Sequence, residues 1–161
     1  MGSGKTTVGR LAAAELEMRF VDMDHLIEEK EGATILEIFA GQGEPVFREI
    51  EARAVAELSA QTGLVIATGG GVALRASNLE TLKNNGVLVH LHVDAETAHA
   101  RTKRSAHRPL LQGDDSLKKI RSLLAQRQPL YETVPNQVNT VGRNAQAVCG
   151  DVIRIYRSSG T

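Results

Sequence analysis

The chain begins with a short glycine-rich segment that leads directly into an amphipathic helix pattern. The segment is Gly2-Ser3-Gly4-Lys5-Thr6-Thr7, and it matches the later part of the phosphate-binding loop pattern G-x-x-x-x-G-K-[ST]. Glycines let backbone N–H groups approach phosphate oxygens, and the positive end of the following helix favours the same anions. A flexible terminus rich in glycine and serine is the alternative interpretation. Such a loop normally connects a strand to a helix, and this chain supplies the helix side.

The rest of the chain alternates short apolar runs with helical patterns. Residues 64–67 form a continuous apolar run, which is typical of a buried parallel strand. Residues 87–93 and 137–141 are predicted to be further strands, and residues 116–128 a helix with Ser116 as its N-cap. Strands that alternate with helices indicate a parallel sheet covered on both faces. No linker or repeat divides the 161 residues, so a single domain is predicted over residues 1–161.

Composition argues against several classes of protein. The 19 basic residues balance the 19 acidic ones, whereas a general nucleic-acid binder needs a basic excess. No apolar run approaches the roughly 18 residues of a membrane span, and no signal-peptide pattern is present. Cys149 is the single cysteine, so no internal disulfide or cysteine-based metal cage is expected. A cytoplasmic protein without nucleic-acid or membrane partners is predicted.

Two features follow predicted strands and carry candidate chemistry. Asp22 and Asp24 follow a strand-like stretch at residues 20–21, and such a pair suits Mg²⁺ binding through water and proton abstraction from a hydroxyl. An acidic turn that caps the next helix is the alternative. Gly69-Gly70-Gly71 follows the buried strand directly, where ligands bind in parallel sheets. Three glycines leave room for a substrate, although a plain tight turn is the alternative.

Arginines are the candidate ligands for anions. Arg48 and Glu51 lie three residues apart on a predicted helix, where they form either a surface salt bridge or a fork directed at a carboxylate. Arg108 lies in a polar segment, residues 104–115, that is predicted to be a mobile loop. A loop arginine of this kind can close over phosphates. Arg127 ends a predicted helix and suits either use.

Taken together, these motifs resemble the shikimate kinase family, which comprises small P-loop kinases of the nucleoside monophosphate kinase type. Six segments match in family order: GSGKTTVGR at 2–10, VDMD at 21–24, ILEIFAGQGEPVFREIE at 35–51, ATGGGV at 67–72, RPLL at 108–111 and RQPLY at 127–131. VNTVGRNA at 138–145 matches the family's last strand and adenine-side loop more weakly. Each motif is short, but six in one order at family-like spacing argue against chance similarity.

The resemblance implies Mg²⁺-dependent transfer of phosphate from ATP to the 3-hydroxyl of shikimate. The products would be ADP and shikimate 3-phosphate, on the route to aromatic amino acids. The family fold is a three-layer α/β/α P-loop domain with a five-stranded parallel sheet. By this resemblance the substrate-binding subdomain spans residues 24–61 and the lid spans residues 104–115. The implied partners are ATP and shikimate, and a monomer is expected.

The resemblance also assigns the ligands of ATP and of the metal by position. The phosphates would be bound by the following residues: Gly2, Ser3, Gly4, Lys5, Thr6, Thr7 and Arg108. Thr6 would ligate Mg²⁺ directly, and Asp22 would hold it through water. Arg101 and Arg143 would flank the adenine, with Arg104 as a competing candidate for the place of Arg101.

The shikimate ligands are implied in the same way. Asp24 would bind and orient the reacting hydroxyl and accept its proton. The substrate carboxylate would be gripped by Arg48 and Arg127, with Glu51 buttressing Arg48. Backbone contacts would come from Gly69, Gly70 and Gly71. The predicted catalytic residues are therefore Lys5, Asp24 and Arg108.

In the family fold, the strand before the phosphate-binding loop is central and pairs on both sides. That strand, and the first glycine of the loop pattern, would lie before Met1. Without it two strand edges are unpaired, and roughly four apolar side chains worth about 1.5–3 kcal/mol each are not buried. We therefore expect the polypeptide, or its gene, to continue upstream with a short apolar strand.

Two other functions are left open by the sequence. Another small-molecule P-loop kinase, such as a gluconate kinase, shares the loop but does not need the FRxxE and GGG motifs together. A truncated, non-catalytic nucleotide-binding domain is the second alternative. The intact set of functional side chains argues against it: Lys5, Thr6, Asp22, Asp24, Arg48 and Arg108.

Overall fold

A computed structural model of the chain describes residues 2–103 and 115–160. These residues divide into two compact units, the first comprising residues up to Val8 together with those from Leu88 onward, the second Gly9–Val87. The subdomain predicted over residues 24–61 falls within the second unit. Arg104, Arg108 and all but the last residue of the predicted lid lie outside the described residues.

Helices and strands alternate along the described chain, which confirms the α/β class. In chain order the elements are α1 Lys5–Glu15, β1 Arg19–Asp22, α2 Met23–Glu31, α3 Ile35–Ser59, β2 Leu64–Ala67, α4 Ala76–Asn85, β3 Val89–His92, α5 Ala95–Thr102, α6 Ser116–Glu132, β4 Asn136–Asn139 and α7 Ala145–Ser158. A short 3-10 turn, Val72–Leu74, precedes α4. Among the described residues, no helix is long and apolar enough to cross a membrane.

The four described strands pair in parallel, two by two. In the second unit β1 pairs with β2, from Arg19 opposite Leu64 to Asp22 opposite Ala67. In the first unit β3 pairs with β4, from Val89 opposite Asn136 to His92 opposite Asn139. The described residues thus form two two-stranded parallel sheets.

The longest helix of the second unit, α3, is interrupted at Gly43. α3 starts with a capping box, in which Thr34 accepts a hydrogen bond from the Glu37 N–H and Glu37 accepts one from the Thr34 N–H. Gly43 breaks the helix with φ 83° and ψ 168°, a left-handed conformation that glycine adopts readily. The helical stretch after it buries one face at positions that include Ile50 and Leu58, which anchors the helix in the core of this unit.

In the first unit, α5 and α6 share a small aliphatic core. Val93, Ala95 and Ala98 are buried together with Ile120 of α6. The N-cap predicted at Ser116 is wrong: Asp115 holds that position. Ser116 is instead a buried first residue of α6 whose hydroxyl lies 2.7 Å from Nε2 of His99.

Candidate active site

The predicted phosphate-binding loop lies in the first unit and turns directly into α1. Gly2 and Gly4 have φ angles of 66° and 88°, which L side chains rarely adopt. The Val8 N–H donates to the Gly4 carbonyl at 2.9 Å, so the helical hydrogen bonds begin at the loop. Lys5 and Thr6 therefore stand in the first turn of a helix, where the helix dipole favours anions.

The loop is held close to α5. A Cβ added to Gly2 would lie 2.8 Å from both the Cα and the carbonyl oxygen of Ala98, so glycine is required for space as well as for its φ. Arg101 donates from Nη1 to the Gly2 carbonyl at 3.2 Å and from Nη2 to the Thr140 carbonyl at 2.9 Å. Arg101 thus ties the loop to the segment after β4, and its place beside the adenine stays a prediction.

The other predicted ligands of the first unit lie on two further elements. Arg143 follows β4 and donates to the carbonyls of Asn139 and Ala147 at 3.1 and 3.2 Å. Its Nη1 also lies 2.7 Å from Oδ2 of Asp151, and this hydrogen bond lowers the pKa of that carboxyl. Arg127 is half-buried on α6. Arg143 is therefore engaged by β4 and α7 through at least three contacts.

In the second unit, the acidic pair lies at the junction of β1 and α2. Asp22 is the last residue of β1, with φ −92° and ψ 114°, and Asp24 lies in the first turn of α2. The chain turns between them, so they do not share one face of a strand. Asp22 occupies the N-cap position without a side-chain capping hydrogen bond. The interpretation of the pair as a helix-capping turn therefore loses its main support.

The triple glycine lies against the acidic and basic side chains of the same unit. A Cβ on Gly69 would lie 2.5 Å from Oδ1 of Asp24 and 3.5 Å from Oε1 of Glu51. A Cβ on Gly71 would overlap Nη1 of Arg48. Neither glycine has a positive φ, so the close approach of charged side chains, rather than a tight turn, requires glycine here. The structure thus brings together four of the predicted substrate ligands, Asp24, Arg48, Gly69 and Gly71, with Glu51 beside them.

Arg48 is the centre of a hydrogen-bonded charge cluster. Nη1 donates to Oε2 of Glu51 at 2.9 Å, while Nε and Nη2 donate to Oε1 of Glu44 at 3.1 and 2.7 Å. The Glu51 side chain is 2% exposed and that of Arg48 is 19% exposed. Burial opposes the charge of Arg48, but the hydrogen bonds to Glu44 and Glu51 outweigh it and raise the pKa of the guanidinium. The alternative of an exposed surface pair between Arg48 and Glu51 is wrong.

Aromatic rings adjoin this cluster. The Phe39 and Phe47 rings lie 4.7 Å apart between centroids, and Cζ of Arg48 lies 5.3 Å from the Phe47 centroid. Sequence reasoning missed Glu44 as a member of the cluster. Its spacing of four residues before Arg48 on a helix was the available signal.

The predicted Mg²⁺ ligands are hard oxygen donors, as that ion requires. Thr6 offers a hydroxyl and Asp22 a carboxylate, and Mg²⁺ at kinase sites takes few protein ligands beside water and phosphate oxygens. Within residues 2–103 and 115–160, no group of three or more histidine, cysteine or acidic side chains could hold a metal by itself. Hydroxyl and carboxylate oxygens are the donor types that fit an ion held partly by ATP and water.

Comparison with known proteins identifies the family. The family model for shikimate kinase matches residues 1–157. Shikimate kinase of Hahella chejuensis is 39% identical over 99% of this chain and 83% of its own length, and that of Psychrobacter cryohalolentis is 44% identical over 88% of this chain and 76% of its own.

Solved structures agree with this match. The shikimate kinase from Acinetobacter baumannii in complex with shikimate has a TM-score of 0.91 at 42% identity and covers 99% of this chain and 89% of its own. The shikimate kinase from Aquifex aeolicus has a TM-score of 0.82 at 30% identity, covering 99% and 94%. By sequence and by structure, this chain belongs to the shikimate kinase family.

Proposed function

We propose that this chain transfers the γ-phosphoryl group of ATP to the 3-hydroxyl of shikimate. The match of the family model over residues 1–157 carries this conclusion. The structurally similar shikimate kinase from Acinetobacter baumannii was solved in complex with shikimate, which supports the choice of substrate. In the reaction, the hydroxyl oxygen bonds to the γ-phosphorus, the bond to the bridging oxygen of ADP breaks, and the hydroxyl proton must leave.

Asp24 is the proposed acceptor of that proton. Its carboxylate lies at the start of α2 against Gly69, which has no side chain to cover it. A carboxylate that holds the hydroxyl by a hydrogen bond orients the oxygen for attack and takes the proton as the new bond forms. Arg48, positioned by the buried Glu51, is the proposed ligand of the shikimate carboxylate, with Arg127 as the second.

The loop at Gly2 to Thr7 is the proposed ATP site. Backbone N–H groups of the loop, the N-terminus of α1 and the charge of Lys5 neutralise the phosphates as charge moves to the leaving oxygen. Thr6, directly, and Asp22, through water, would hold Mg²⁺, which would supply further charge neutralisation when bound. Arg108, which is not among the described residues, is proposed to bind the phosphates. Arg101 and Arg143 are proposed to lie beside the adenine.

We further propose a cytoplasmic monomer that binds two small molecules and neither nucleic acid nor membrane. The balance of 19 basic and 19 acidic residues supports the absence of a nucleic-acid partner, because no net positive charge attracts a polyanion. Light scattering of the purified chain, with and without ATP and shikimate, tests the monomer.

Release of ADP in the presence of shikimate tests the proposed activity. Shikimate is expected to start ADP release and gluconate is expected not to, with ATP and Mg²⁺ present in both reactions. Turnover with gluconate alone would favour the alternative kinase. Nucleotide binding without turnover on either compound would favour a non-catalytic domain. The Asp24→Asn variant serves as the control that any ADP release comes from this site.

A further inference from the structure

One edge of the Arg48 guanidinium is occupied by an acidic residue of the same helix, α3. Nε and Nη2 both donate to Oε1 of Glu44, at 3.1 and 2.7 Å. A guanidinium offers pairs of parallel N–H groups to a carboxylate, and the Nε–Nη2 pair is one of them. Glu44 therefore sits where an incoming carboxylate would make two hydrogen bonds.

The opposite side of the guanidinium is already covered by the protein. Nη1 donates to the buried Glu51 at 2.9 Å. A Cβ on Gly71 would lie 2.9 Å from Cζ and 3.0 Å from Nη2 and would overlap Nη1, so the Gly71 backbone lies against this side of Arg48. A carboxylate that binds Arg48 with two hydrogen bonds must therefore use the edge at which Glu44 lies.

The two acidic partners of Arg48 differ in how easily they can leave. The Glu51 side chain is 2% exposed, whereas that of Glu44 is 58% exposed. Separating a buried pair leaves an uncompensated charge, but an exposed pair is weak because water replaces the partner. Glu44 also follows Gly43, where α3 is interrupted. Glu51 is thus the permanent partner and Glu44 the exchangeable one.

We propose that Glu44 is an internal competitor for the substrate carboxylate, which neutralises Arg48 in the ligand-free protein and leaves when shikimate takes the Nε–Nη2 edge. This inference rests on the proposed function. It gives Glu44 a role in specificity, because a polyol without a carboxylate has no group that can replace Glu44 on Arg48. Such a compound forms no ion pair with Arg48, so Arg48 adds nothing to its binding free energy.

The Glu44→Gln variant tests this role by removing the competing charge while keeping the size of the side chain. The KM for shikimate is expected to fall by about 3- to 5-fold, which is the range expected when a weak exposed pair no longer has to be broken. The effect is expected in KM rather than in kcat. The methyl ester of shikimate, which carries no carboxylate charge, is expected to bind the variant and the unchanged protein equally well.

Glu49→Gln is the matched control. Glu49 lies on the same helix with a 66% exposed side chain and pairs with Arg75, so the variant makes the same change in net charge away from Arg48. Its KM is expected to stay unchanged. An equal fall in KM in both variants, or an unchanged or higher KM in Glu44→Gln, would overturn the proposal.

A second measurement separates this inference from the proposed function. In ligand-free protein, the ¹⁵N NMR signal of the Arg48 Nε–H is expected to move in Glu44→Gln and not in Glu49→Gln. If the unchanged protein releases no ADP with shikimate, the proposed function fails. In that case, an Arg48 signal that does not respond to added shikimate overturns the inference as well.

Discussion

The candidate binding groups of the first unit are mainly backbone groups, whereas those of the second unit are side chains. In the first unit the phosphate-binding loop relies on backbone: left-handed glycines, the N-terminus of α1 and a carbonyl held by Arg101. In the second unit the cluster around Arg48 relies on charged side chains, with glycines that only make room for them. Equal losses of binding in the two units therefore need different substitutions, because a backbone site is damaged by adding atoms and a side-chain site by removing a charge or a donor.

The sharpest test of the side-chain site is Asp24→Asn. The amide keeps the size of the carboxylate but cannot accept the proton, so kcat is expected to fall by roughly 10²-fold or more. The KM for ATP is expected to change less than two-fold, because the proposed contact of Asp24 is with the shikimate hydroxyl rather than with ATP. Steady-state kinetics measure both, and an unchanged kcat would remove Asp24 from the chemistry.

Arg48→Lys tests whether geometry matters in the same site beyond charge. A lysine ammonium has no planar fork of N–H groups, so it cannot both hold Glu51 and make two parallel hydrogen bonds to a carboxylate. The KM for shikimate is therefore expected to rise by about 10- to 100-fold. Arg53→Lys, at an exposed position of the same helix, is the control and is expected to leave KM unchanged. Near-normal saturation by shikimate in Arg48→Lys would contradict the role of Arg48 as a carboxylate ligand.

Gly2→Ala tests the backbone site in the first unit. The added Cβ would lie 2.8 Å from the Ala98 backbone at a φ of 66°, so the loop must shift, and the KM for ATP is expected to rise by about 10-fold or more. Gly63→Ala separates the two causes, because Gly63 has φ 68° and nothing within 4 Å of an added Cβ. Alanine in that control is expected to introduce only the strain of a left-handed backbone, which lowers the free energy of unfolding by about 1–2 kcal/mol. Equal ATP kinetics in both variants would show that close approach is unimportant.

The smallest expected effect concerns His90 on β3. Burial lowers its pKa below 6.5, opposed by a hydrogen bond with Gln137 and reinforced by the charges of His92 and Lys5. A histidine with a lowered folded pKa contributes stability above its unfolded pKa, and this is lost as pH falls from about 6.5 toward the folded value. In His90→Gln, thermal unfolding from pH 7.5 to 5.5 is expected to show a shallower loss of stability. An identical pH profile would contradict this assignment.

Local patterns predicted much of the fold because they record the environment of single elements. The apolar run at residues 64–67 coincides with β2, since a strand buried on both faces needs continuous apolar residues. The pattern failed at Ser116, whose hydroxyl contacts His99, 17 residues away, instead of capping α6. It also ended α6 at residue 128, whereas the helix continues through Pro129 to Glu132.

Residue types at short spacings were enough to predict the family, a phosphate-binding loop and the set of charged site residues. The folded chain alone places Gly69 against Asp24 and Gly71 against Arg48. It also decided that Glu51 is buried while Glu44, at an equally helical spacing from Arg48, stays exposed. The physical reason is that burial and close approach arise from residues distant in the chain, which spacing along one helix does not encode.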